Sequence, residues 1–176
     1  MSEFSTNELA FIGLSNEYCK ALESTEGELR GVFVDNMLRL LPRLYICASD
    51  LKYSDDEGDV YVRAILTEVE YYHIKDCITV LLADKDDYLE IYKDNTQFQE
   101  PVLASISEDL ADIYQYLVNM LGNIKDAPES MAREVIAQTI AEFHAVWSQT
   151  LCNALRVLND LRINNRLEDD SEESYF

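Results

Sequence analysis

The residues of this chain best placed to do chemistry are carboxylates. Glu108, Asp109 and Asp112 stand in one short run, and Glu108 and Asp112, four positions apart, share a helix face one turn apart. Helical hydrolases of phosphorylated compounds hold magnesium or manganese on such carboxylates, with acids of a neighbouring helix completing the site. Glu68, Glu70, Asp76 and Glu142 can supply that other half. Glu108 and Asp112 are therefore the metal candidates. A structural reading competes with this one: Ser105 and Glu108 have capping-box spacing, and acids near a helix N-terminus are favourable without any ion.

The remaining constellations point away from catalysis. Asp84, Asp86, Asp87 and Glu90 form an acidic cluster, but the alternating oxygen ligands, the glycine and the closing glutamate of a calcium loop are missing. The expectation is a solvated turn in which Asp84 caps a brief helix and Asp87 occupies its third position. His73 and Cys77, one turn apart, can meet, yet nothing marks an oxyanion hole or an orienting third group. Glu142 and His144 are two apart and face different ways, which rules out the E-x-x-H pattern of di-iron bundles. His144 shares its side with Ala137, Ala141, Ser148 and Cys152, the setting of a structural histidine at a close helix contact. A glycine-rich phosphate loop and a G-x-S-x-G elbow are both absent from the sequence. No catalytic residue and no cofactor is assigned; magnesium or manganese enters only with the hydrolase reading.

The elements that would position these residues are helices. From Glu129 to Ile163 apolar residues including Ile136, Ile140, Phe143, Trp147, Leu151 and Leu158 recur every three or four positions, which predicts one long helix of roughly 50 Å serving as a spine. Ser5 with Glu8 opens a first helix that ends by about Glu23. A second runs from about Glu28 through Ala48, with Pro42 inside a continuous apolar pattern, so a bend is expected there rather than a break. Asp50 to Asp59 reads as a surface loop, and Val60 to Leu66 as extended or a short lead-in. Thr67 with Glu70 opens a third helix whose Tyr71, Ile74, Ile78, Leu81 and Leu82 face the core. After a polar linker at Lys93 to Gln99 and a possible turn at Pro101, Ser105 opens a fourth helix, which Gly122 and Asn123 stop; Pro128 starts the spine. The expected fold is all-α, an antiparallel bundle of about five main helices with a long C-terminal helix. Residues 1–166 are expected to form a single domain, followed by a disordered acidic tail at 167–176.

Composition narrows the partners. The chain has 176 residues, with 34 acidic against 14 basic side chains and a formal charge of -20. Such a surface repels phosphate backbones, so neither nucleic acid nor an anionic membrane is an expected partner. No apolar stretch reaches the roughly 18 residues of a membrane span, and no basic leader precedes an apolar run, which places the expected location in the cytoplasm. Cys19, Cys47, Cys77 and Cys152 lie far apart without C-x-x-C spacing and are expected to be reduced. Of the eleven tyrosines, Tyr71, Tyr72, Tyr88, Tyr92, Tyr114 and Tyr116 fall near the acidic clusters, where their hydroxyls can bond carboxylates at the core edge, in a polar cleft or at a partner interface.

The phrases Leu41-Pro42-Arg43-Leu44-Tyr45, Asp84-Lys85-Asp86-Asp87-Tyr88-Leu89-Glu90, Ser107-Glu108-Asp109-Leu110-Ala111-Asp112-Ile113-Tyr114, Trp147-Ser148-Gln149 and Asn153-Ala154-Leu155-Arg156 together make the chain resemble domain of unknown function 5063. This is a family of short bacterial proteins from Bacteroides and its relatives. The resemblance runs from about Phe11 to Leu161 and implies a cytoplasmic, mainly helical bacterial domain. It implies no activity, substrate or cofactor, and the acidic tail lies beyond it. The leading functional expectation is a noncatalytic helical interaction domain, acting as a homodimer or as an acidic adaptor for another protein. The alternative is a magnesium- or manganese-dependent hydrolase of a small phosphorylated compound.

Overall fold

The computed structural model describes residues 4–90 and 100–164. Helix α1 (Thr6–Glu23) opens on the expected box: Ser5 Oγ accepts the Glu8 N–H at 3.2 Å and Glu8 returns by accepting the Ser5 N–H at 2.7 Å. Helix α2 (Arg30–Asp50) runs as one helix with Pro42 inside it. Helix α3 (Glu68–Leu82) starts at the Thr67 and Glu70 box, α4 spans Ile106–Ile124, and the C-terminal rod comprises α5 (Glu129–Glu142) and α6 (Ser148–Ile163). These make an all-α antiparallel bundle, with the rod as its long C-terminal helix.

The rod is continuous, as its periodicity predicts, but Phe143–Trp147 form a single π-helical turn between α5 and α6. The turn ends on Trp147. The indole is fully buried against Phe143, ring centroids 4.6 Å apart, and a buried indole N–H needs an acceptor. It finds the Thr139 carbonyl at 3.2 Å, eight residues back. The wider turn accompanies that seating of the ring.

The centre of the bundle is α4 rather than the rod. Helix α4 packs against α1, α3, α5 and α6, whereas the rod lies along α2 and α4. The apolar face of α4, with Leu110, Ile113, Leu117 and Met120 fully buried, is wide enough to be covered from several sides. Helix α3 sits at the edge, packed on α4 and more lightly on α1.

The acidic stretch after α3 differs from the expectation. Asp84 caps no helix: Ala83 takes φ 50° and ends α3, a short 3-10 turn occupies Ala83–Lys85, and Asp87 begins a strand. Strand β1 (Asp87–Glu90) pairs antiparallel with β2 (Val102–Ser105), Asp87 opposite Ser105 and Glu90 opposite Val102. The residues after Pro101 are thus extended instead of helical. Pairing between segments distant in the chain supplies the backbone hydrogen bonds here, and local periodicity carries no trace of such a partner. The polar linker after Tyr92 and the acidic tail at 167–176 lie outside the described residues.

Candidate functional site

Helix α4 carries the predicted carboxylates, and its first turn shows how each is engaged. Ser105 Oγ accepts the Glu108 N–H at 3.3 Å, but the Glu108 side chain does not return to the cap. Its Oε2 lies 3.3 Å from Lys75 Nζ on α3. Asp112 also faces α3, where its Oδ1 accepts from the Tyr71 hydroxyl at 2.6 Å. Asp109 turns toward the strand pair and accepts from the Tyr88 hydroxyl, while the Arg156 guanidinium lies 5.9 Å from the centre of the Tyr88 ring.

Burial dominates the electrostatics of these acids. It pushes the Asp109 carboxyl up to about 7; the Tyr88 hydrogen bond opposes the shift, and the charges of Asp112, Glu90 and Glu108 add to it. Asp112 is raised too, by burial first, with the Tyr71 hydrogen bond opposing, Glu108 adding and Lys75 opposing. Tyrosine hydroxyls thus meet carboxylates here, and Glu108 and Asp112 both reach α3, the first in an ion pair with Lys75 and the second in a hydrogen bond from Tyr71.

Of the four acids proposed for the other half of a metal site, Glu142 comes nearest in role. It lines with Asp112 a cleft of about 300 Å³ between α4 and the rod, together with Gln115, Tyr116, Asn119 and Thr150. Glu70 is engaged at the Thr67 cap, and Asp76 lines a different cleft. Among the described residues no group of three or more His, Cys, Asp or Glu side chains is placed to hold one metal ion.

The cysteine–histidine pair meets as its spacing allows, with Cys77 Sγ 3.9 Å from His73 Nε2. Its chemistry runs against a nucleophile. Burial, then Glu26 and Asp76, raise the Cys77 thiol, whereas attack needs a thiolate at neutral pH. His144 is exposed, its ring edge-on to Phe143 at 5.1 Å, beside Ala137 and Ala141 in a shallow cleft with the 51–57 loop.

The feature that sequence reasoning missed is the outward face of α3. Val69 and Val80 are each 80% exposed, and Leu29, just before α2, is 71% exposed. Eleven positions separate the valines, three helical turns, so they stand on one face about 16 Å apart with His73 and Asp76 between them. A cleft lies on each side of that stripe. One, of about 550 Å³, runs between the Thr25–Arg30 segment and the second half of α3. The other, of about 540 Å³, is bounded by Ile65, Leu66, Val69 and the α4 residues Tyr114 and Val118. His73 lines both.

The floor of this surface is apolar and its rim is acidic. Glu26, Glu28 and Asp76 border the first cleft and Glu23 and Glu70 the second. Among the described residues Arg30 is the one lysine or arginine in either lining, and its Nε donates to the Leu81 carbonyl at 3.0 Å. The signal was present in the sequence as two valines eleven apart on the charged side of α3. Read alone, that helix already has one complete apolar face, and the valines fall outside it.

All four cysteines are free, and among the described residues no helix is long and apolar enough to cross a membrane. Among curated proteins none matches the chain. The crystal structure of protein BF1032 from Bacteroides fragilis is similar, with a TM-score of 0.78 and 33% sequence identity over 90% of this chain and 93% of that one. The family described as Domain of unknown function (DUF5063) matches residues 2–164. By that match and by the shared bundle, the chain belongs to the DUF5063 family.

Proposed function

We propose that residues 1–166 form a single noncatalytic interaction domain of the cytoplasm, which receives another protein on the outward face of α3. The observation that carries this reading is the pair of exposed valines. Val69 at one end of the face and Val80 with Leu29 at the other keep apolar surface in water beside two open clefts, and exposed apolar surface rimmed by polar residues marks contact sites. The four free cysteines suit a reducing compartment.

The reading is tested with a photoreactive amino acid placed at Val80 and, as a control, at the exposed Asn159 of α6, in living cells. A discrete adduct from position 80, absent from position 159 and lost when Val69→Asp is added, supports it. Adducts equal at both positions, or none at position 80, overturn it. An adduct of twice the chain mass identifies a homodimer.

The second reading is the magnesium- or manganese-dependent hydrolase acting through Glu108 and Asp112. What favours it is the cleft that Asp112 shares with Glu142. Calorimetric titration with each ion is the test: stoichiometric binding that Asp112→Asn abolishes supports the site, and the absence of saturable heat removes it.

A further inference from the structure

We infer that the occupant of the α3 face is a cationic amphipathic helix of another protein, laid alongside α3 with two apolar anchors about three turns apart. The inference rests on the interaction reading above and adds the chemistry of the partner. Three observations carry it, and the first is shape. A stripe with two apolar ends and a cleft on each side fits a rod better than a loop, because its anchor points Val69 and Val80 repeat at helical spacing. A partner helix running beside α3 meets them with apolar residues at i and i+11.

The second observation is what lies between the anchors. His73 and Asp76 occupy the middle of the stripe, so the partner is polar or basic at i+4 and i+7. The third is charge. Both clefts are bordered by acids, and Arg30, the single cation lining them among the described residues, donates to Leu81. Lysines or arginines flanking the two anchors would meet Glu26 and Glu28 at one end and Glu23 at the other. A second copy of this chain is disfavoured: its formal charge is -20 and it would set acidic rim against acidic rim. Nucleic acid is disfavoured on the same ground.

The test uses the full chain and three synthetic peptides of equal length. One is an amphipathic lysine–leucine helix, one has the same composition scrambled, and one carries glutamate in place of lysine. Fluorescence anisotropy should show binding of the first alone, and circular dichroism should show the peptide gaining helix. The neutral double variant Val69→Ser/Val80→Ser should weaken binding by about tenfold or more, since it removes apolar contact without altering charge. Glu26→Gln/Glu28→Gln should weaken it and flatten its dependence on salt. All four positions are partly or fully exposed, and thermal melts of the variants check that folding is intact.

Equal binding of the scrambled peptide, affinity unchanged in the serine variant, or no binding of the cationic helix overturns the inference. A photo-adduct from position 80 with a protein whose captured segment is acidic or extended overturns it too. That last outcome leaves the interaction reading standing, whereas no adduct at all removes both.

Discussion

The Tyr71 hydroxyl donates to Asp112 Oδ1 at 2.6 Å, and this bond joins the edge helix α3 to the central helix α4 beside the Lys75 to Glu108 ion pair. A hydrogen bond to a half-buried carboxylate is stronger than one between neutral groups. Tyr71→Phe should therefore cost about 1–2 kcal/mol in urea unfolding. It should also raise the Asp112 carboxyl further, because the lost bond opposes the upward shift more than Lys75 does. A titration of Asp112 by NMR that is unchanged in the variant would show that the bond does not form in solution.

Asp109 predicts a pH dependence of stability. Its folded carboxyl sits at about 7 against an ordinary 3.8, so the folded state holds the proton more tightly than the unfolded chain. The stabilising contribution is complete below the ordinary carboxylate range and is lost as pH rises through about 7. Tyr88 and Glu90 of β1, Glu108 and Asp112 of α4 and the nearby Tyr18 of α1 are the titratable groups around it. Glu57, Glu70 and Asp84 are shifted the opposite way and lose their contributions only as pH falls through the acid range. The melting temperature should thus fall as pH rises from about 5 to about 7 and level off above that, and Asp109→Asn should flatten the fall. An equal slope in the variant would assign the effect elsewhere.

Asp86 and Asp84 should respond very differently to alanine. Asp86 is buried, and its carboxylate accepts the Ser107 N–H at 2.7 Å and the Ser107 hydroxyl at 2.6 Å, tying the strand pair to the start of α4. Asp86→Ala leaves the buried Ser107 N–H without its acceptor and the Ser107 hydroxyl with only the longer bond to Ser105 Oγ at 3.3 Å, and should cost about 2–4 kcal/mol. Asp84 is exposed and pairs with Lys85 at 2.7 Å at the surface, so Asp84→Ala should leave stability nearly unchanged. Chemical denaturation of both variants gives the comparison, and similar losses would contradict the structure.

Two glycines with positive φ separate strain from crowding. Gly58 has φ 87°, and a Cβ there would lie 2.8 Å from backbone atoms of Ala137 and Gln138 on α5. Its N–H also donates to Glu134 Oε2 at 2.9 Å. Gly27 has φ 77° with open space around it. Gly27→Ala should cost about 1 kcal/mol from backbone strain alone, and Gly58→Ala clearly more, about 2–3 kcal/mol, as the 51–59 loop is pushed off α5. Thermal melts should rank them in that order.

The sequence by itself determined the helices, because what makes them is local. Ser5 with Glu8 and Thr67 with Glu70 close their boxes within one turn, Pro42 interrupts no periodicity, and the 3.6-residue repeat of Phe11, Leu14 and Tyr18 needs no partner to be read. Even the family phrases are local runs. Tertiary structure decided whatever depends on residues far apart in the chain. Asp86 caps Ser107 across 21 positions, the β1 and β2 pair exists only because two short segments meet, and Glu108 leaves its cap because Lys75 of α3 stands opposite. The α3 face belongs to the same class. Val69 and Val80 are ordinary apolar residues until the packing of α1 and α4 on one side of the helix leaves the other side open. Periodicity reports which face of a helix is apolar, but only the arrangement of its neighbours settles which faces are covered.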